Sequence, residues 1–178
     1  MASYLWIDLD KTLIKQDSSM TCLKRLRRDL GVLQLFEIII RHRFNRFNIK
    51  SEVADRVNLA SIDWIYDEDL LEFLENRFIE GFQINLITAS SETIAKFFAE
   101  TLPFISEVYF STNTLDMRGS VKYQVMKSKS YGDFEYFGNS LSDIKVWERI
   151  GHANISKSNF RMRIALFITK KNLTINLF

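Results

Sequence analysis

Tyr4-Leu5-Trp6-Ile7-Asp8-Leu9-Asp10-Lys11-Thr12 is the stretch that decides the fold. Four apolar side chains in a row, with no polar alternation, suit a strand covered on both faces of a parallel sheet, and this run ends in two carboxylates one residue apart. Similar runs recur at residues 83–88, 107–111 and 134–138, and more weakly at 153–156. Helical periodicity fills the intervals. In residues 67–77 and just beyond, Leu70, Leu71, Leu74 and Phe78 share a helical face that opens on three acids and stops at Gly81. Residues 93–102 stop before Pro103, and residues 120–130 and 141–150 continue the alternation, the last ending at Gly151. Strand and helix in turn predict an α/β fold, a Rossmann-like parallel sheet flanked by helices.

The interval after the first strand is longer than a crossover needs. Residues 18–60 carry no strand signal, and Leu23, Leu26, Leu30 and Leu33 recur at heptad-like spacing. Asp17 or Ser18 is the expected N-cap, and Gly31 is expected to break a first helix from a second, more apolar one. The spacing thus predicts a small helical cap, residues 15–65, inserted within a single domain of residues 1–178. At the other end, residues 163–169 and 173–178 flank Lys170-Lys171-Asn172 in the manner of a hairpin.

A chain of 178 residues, 47% apolar with 6 Gly and 1 Pro, has the material for one core, which excludes a disordered tail protein. One cysteine excludes an internal disulfide framework, and with two histidines it cannot furnish a Cys/His zinc site. No apolar run approaches the roughly 20 residues that cross a bilayer, and the start lacks the basic and apolar regions of a secretory signal. A cytoplasmic location is the expectation. The net charge of +2 conceals an asymmetry: residues 24–50 hold eight Lys and Arg against Asp29 and Glu37, a local +6. That segment is either a solvated face packing its aromatic and aliphatic neighbours on the core, or a surface for anionic lipid. Nucleic acid is not an expected partner, because no reading motif accompanies the basic residues.

In an open parallel sheet, ligands sit outside the carboxyl ends of the strands. Those ends carry Asp8 and Asp10, then Thr88-Ala89-Ser90, then Lys122 after Gly119, then Gly138-Asn139-Ser140-Leu141-Ser142-Asp143. The set resembles the haloacid dehalogenase (HAD) superfamily of phosphohydrolases, whose motifs are D-x-D-x-T, a Thr or Ser, a Lys, and an acidic G-D/N-x-x-x-D loop. More narrowly, Ile87-Thr88-Ala89-Ser90, Gly119-Ser120-Val121-Lys122, Tyr136-Phe137-Gly138-Asn139-Ser140 and Val146-Trp147 resemble the HAD-like domain often fused to UbiA-type prenyltransferases. The resemblance implies a phosphatase that hydrolyses a phosphomonoester. Asp8 would be the nucleophile that forms an aspartyl-phosphate, Asp10 the general acid/base, and Thr88, Ala89 and Lys122 the phosphate-binding set. Mg²⁺ would be held by Asp8, Asp10, Asp143 and Asn139. The chemistry is coherent, because a carboxylate approaching a phosphate dianion meets about 4 kcal/mol of repulsion per charge pair at close range, which cations must cancel.

The substrate class stays open among a small metabolite, a lipid-linked phosphate and a phosphoprotein residue such as phosphotyrosine. Two positions depart from the family pattern. Asn139 stands where an acid is common, and Lys11 where a glycine is common. The alternative reading is a membrane-recruited binding domain with this fold and weak or no catalysis. Cys22-x5-Arg28 matches the spacing of cysteine-dependent phosphatases, but Leu23, Leu26 and Leu30 place it in a helix whose N–H groups are already paired.

Overall fold

A computed structural model describes residues 3–155 and 174–177. Its centre is a six-stranded, all-parallel sheet: β1 (Tyr4–Ile7), β2 (Gln83–Thr88), β3 (Ile105–Phe110), β4 (Phe134–Phe137), β5 (His152–Ile155) and β6 (Thr174–Leu177), in the spatial order β3-β2-β1-β4-β5-β6. β1 lies between β2 and β4, with Ile7 level with both Leu86 and Phe137. Side chains alternate across the pleat, so β1 feeds both faces. Leu5 and Ile7 join a core with Leu26, Leu74, Ile84, Leu86, Ile94 and Phe98, while Tyr4 and Trp6 join Met126, Tyr136, Val146 and Trp147 on the other side. This two-sided burial is why the run shows no polar alternation.

Between β1 and β2 lie α1 (Ser18–Arg41), α2 (Arg46–Asp55), a short 3₁₀ turn and α3 (Glu68–Ile79); α4 (Glu92–Thr101), α5 (Ser120–Lys129) and α6 (Ile144–Ile150) complete the chain order. Asp17 caps α1, its side chain accepting from the Met20 N–H at 2.9 Å. Gly31 sits at φ 84° inside α1, where a residue with a Cβ would be strained, and bends the helix. The heptad-like row does not survive that bend. Leu26 is buried and Leu23 partly so, whereas Leu30 and Leu33 are exposed, because rotating the axis at Gly31 turns Ile38 and Leu35 inward instead. Of the aromatic and aliphatic neighbours of the basic stripe, Ile38 packs on the core as expected, whereas Phe36, Ile40 and Phe44 are solvent-exposed.

Residues 141–143 form a 3₁₀ turn ahead of α6 rather than its first α-helical turn, because the Asp143 side chain reaches back to the Ser140 N–H in a capping box. Of the proposed hairpin, residues 163–169 lie outside the described residues. The Thr174–Leu177 strand pairs in parallel with β5.

Candidate active site

The β1 exit is a tight loop. The Asp8 N–H still donates to the Phe137 carbonyl at 2.9 Å, extending the β1–β4 pairing by one residue, and the N–H groups of Thr12 and Ile14 both return to the Leu9 carbonyl. Asp8 is thereby fixed at the carboxyl end of the sheet, 7% exposed. Its Oδ1 accepts from the Leu9 N–H at 2.9 Å and lies 2.8 Å from the Lys122 ammonium. Lys122 is in the first turn of α5 and is itself buried. Its Nζ also donates to the Tyr136 hydroxyl at 2.8 Å, and that hydroxyl donates to Asp143 Oδ1 at 2.7 Å. Asp143 Oδ2 collects the Asn139 N–H, the Ser140 N–H and the Ser140 hydroxyl at 3.1, 2.9 and 2.7 Å. Gly138 is required for this packing. A Cβ there would stand 2.7 Å from Asp143 Oδ2 and 2.9 Å from the Tyr136 ring.

One buried ammonium therefore sits between two carboxylates, Asp143 being 3.6 Å from it. Burial, opposed by Lys122, pushes the Asp8 carboxyl up to about 7. Burial also pulls the Lys122 ammonium down, but Asp8 and Asp143 together outweigh it and hold Lys122 above its ordinary value. Burial and the same two carboxylates push the Tyr136 phenol well above its usual range, so it stays a donor. The network is electrostatically loaded at Asp8, which shares one cation with a second acid.

Asp10 faces a different set of partners. Its Oδ1 accepts from the Ser18 N–H at 2.7 Å and its Oδ2 from the Ser90 hydroxyl at 2.9 Å, which ties the first loop to the start of α1 and to the end of β2. Burial, opposed by these hydrogen bonds, raises its carboxyl above the ordinary carboxylate value. Thr88, the last residue of β2, is buried, and its Oγ1 accepts from the Ser90 N–H at 3.1 Å. A cavity of about 300 Å³ opens over these loops, lined by Asp8, Asp10, Ala89 and Lys122 with Lys11, Lys50 and Arg118 around it. Of the candidate set, the structure thus gathers Asp8, Asp10, Ala89 and Lys122 on one cavity, with Thr88 just beneath. Asn139 is joined to the same loop, its Nδ2 donating to the Lys11 carbonyl at 2.6 Å. Asp143 lies behind Lys122 and Tyr136.

Among the described residues, no three His, Cys, Asp or Glu side chains are grouped to hold a metal ion. Asp143 Oδ2 already collects three donors and the residue is fully buried, whereas each Asp10 oxygen accepts one hydrogen bond and keeps a lone pair beside the cavity. The carboxylates of Asp8 and Asp10 line the cavity, and the Asn139 amide is tied to the same loop. These are hard oxygen donors of the kind Mg²⁺ takes, so the set fits that ion. Sequence reasoning missed Tyr136 and Ser18. Tyr136 reads as a core strand aromatic, and only the return of the Asp143 loop shows that its hydroxyl is used.

No protein-family model matches the sequence, and no curated protein matches it. Solved structures do match in shape. A haloacid dehalogenase-like hydrolase from Streptococcus pneumoniae superposes with a TM-score of 0.63 at 14% identity, covering 98% of this chain and 94% of that one. A phosphoserine phosphatase in apo form gives 0.60 at 12% identity, with 98% and 94% covered. A phospho-aspartyl intermediate analogue of phosphoserine phosphatase gives 0.58 at 12%, with 98% and 93% covered. The chain has the haloacid dehalogenase fold.

Within this fold, Lys11 has a local consequence. Lys11 takes the left-handed φ of 59° where the pattern has glycine, and it lines the cavity. A non-glycine residue there costs about 1–2 kcal/mol. Lys11→Gly is therefore expected to raise the urea midpoint, by about 1 kcal/mol of stability once the added freedom of the unfolded glycine is subtracted. An unchanged midpoint would show that Lys11 is not strained. The Cys22 thiol does not line the Asp8 cavity; it is buried in α1 and pushed up to about 12 by burial and by the charges of Asp10 and Asp17. Cys22→Ala is expected to leave the turnover number within about twofold, and the native thiol to resist alkylation.

Proposed function

We propose that this protein is a Mg²⁺-dependent phosphatase that hydrolyses a phosphomonoester through an aspartyl-phosphate on Asp8. The observation that carries the reading is the 2.8 Å approach of the buried Lys122 ammonium to Asp8 at the wall of a polar cavity outside the strand ends. An exposed Asp–Lys pair would be ordinary. A desolvated one, with the carboxyl held near 7, is the arrangement of a group kept for reaction rather than stability.

The Asp8 carboxylate attacks phosphorus, and the bond from phosphorus to the leaving oxygen breaks. Asp10, whose carboxyl burial raises above its ordinary value, protonates that oxygen. Water then attacks phosphorus and gives a proton to Asp10, the bond to Asp8 breaks, and Asp8 is regenerated with inorganic phosphate released. Lys122 supports the charge that gathers on the phosphoryl oxygens, and the Thr88 hydroxyl and the main chain at Ala89, ahead of α4, are donors for them. When bound, Mg²⁺ supplies further charge neutralisation, held by Asp8, the Asp10 carbonyl and Asn139.

Residues 15–65 act as a cap over this chemistry, since Asp17 and Lys50 contribute to the cavity wall. Past Lys50, Ala89 and Arg118 a second cavity of about 430 Å³ begins, with Arg46 and Phe47 also on its wall, so a leaving group of metabolite size has room and meets cations. The kinship with the HAD-like domain fused to UbiA-type prenyltransferases is part of the same reading. Hydrolysis of p-nitrophenyl phosphate by the purified chain, dependent on added Mg²⁺ and abolished by EDTA, is the expected result. Full activity in EDTA would remove the metal from the account.

A further inference from the structure

Past the bend at Gly31, α1 carries large apolar side chains that nothing in the described chain covers. Leu33 is 84% exposed, Phe36 60% and Ile40 55%, on successive turns of one face, and Phe44 in the following turn is 75% exposed. Ile38 on the opposite face is buried, so this half of the helix is amphipathic with its second apolar side turned outward. A contiguous exposed apolar row of this kind marks a contact surface rather than scattered surface residues. Cations border it. Arg27, Arg43 and Arg46 are exposed and have no acidic partner among the described residues, and the segment from residue 24 to residue 50 sums to +6. Its two acids are already paired, Glu37 with Arg41 and Asp29 with Arg25.

We propose that the second half of α1, with the turn that follows it, docks on an anionic lipid bilayer. No helix of the described residues is long and apolar enough to cross a membrane, which leaves an in-plane contact at the headgroup boundary, with Leu33, Phe36, Ile40 and Phe44 entering it and the flanking arginines meeting lipid charge. Charge decides between this occupant and a second copy of the chain. A two-fold contact would set the same basic patch against itself, whereas an anionic surface complements it. Leu33, Phe36, Ile40 and Phe44 line neither cavity beside Asp8, so the inference stands or falls independently of the proposed hydrolysis.

Co-flotation of the full chain with phosphatidylcholine vesicles, made with and without phosphatidylserine, tests it. The chain is expected to float with the phosphatidylserine vesicles, to be released as salt is raised, and not to float with phosphatidylcholine alone. Leu33→Asn with Phe36→Asn, and separately Arg27→Glu with Arg43→Glu, are each expected to weaken binding by at least about tenfold. These positions are exposed, and an unchanged melting curve confirms that each variant is folded. Absence of flotation, or equal flotation on both vesicles, would overturn the proposal. So would sedimentation showing a dimer that Leu33→Asn with Phe36→Asn makes monomeric, which would assign the surface to a second copy.

Discussion

Asp8→Asn is expected to lower turnover of an aryl phosphate by at least ~10³-fold and, above pH 7, to make the protein more stable than the parent. Both effects have one cause. The Asp8 carboxyl titrates at about 7 in the folded chain, against 3.8 as its ordinary value. Between those values the folded state holds a proton that the unfolded state has lost, so stability falls as pH rises through the window, by about 1.4 kcal/mol for each unit of difference. The isosteric amide behaves as the protonated acid and removes that slope. Thermal melts should coincide near pH 4 and separate by several degrees at pH 8, with the variant higher. If Asp8→Asn melts lower at pH 8, the carboxylate is a stabilising partner of Lys122 and not a strained nucleophile.

Lys122→Met should have the opposite signature. It removes the cation that serves Asp8 and Asp143 together and leaves the Tyr136 hydroxyl facing an apolar chain. Breaking a buried ion pair from one side costs about 3–5 kcal/mol, a drop in Tm of roughly 6–20 °C for a chain of this size. Turnover should fall with it, since the phosphoryl group loses its cation. Because the cost comes from stranded carboxylates, the double variant Asp8→Asn, Lys122→Met should recover at least ~1 kcal/mol over the sum of the single changes. Strict additivity in denaturant melts would mean that the two groups are not coupled.

The strands were legible to the degree that they are buried on both faces. Residues 83–88 are β2 to the residue, because that strand is central and its apolar run is bounded by polar ends. β3 is an edge strand with exposed residues, so its pattern is diluted, and the expected 107–111 begins two residues late. The pairing of Thr174–Leu177 with β5 depends on contacts across the chain that periodicity does not carry. In the site, Asp8, Asp10, Ala89 and Lys122 could be gathered from sequence because each follows a strand end or opens the helix after one. The roles of Tyr136 and Ser18 could not. They arise from how Gly138 lets the Asp143 carboxylate fold back under the sheet, and from where α1 begins. Along α1, spacing gave the helix, but the bend at Gly31 decided which leucines are inside.

During turnover, Asp8 itself is expected to become phosphorylated. Acid quenching during turnover of p-nitrophenyl phosphate, followed by borohydride reduction and mass spectrometry of the digested chain, reads this directly, because an acyl phosphate is reduced where a free carboxylate is not. The expected result is homoserine at position 8 and at no other acid. Homoserine at Asp10 or Asp143, or rapid turnover with position 8 recovered only as aspartate, would contradict it.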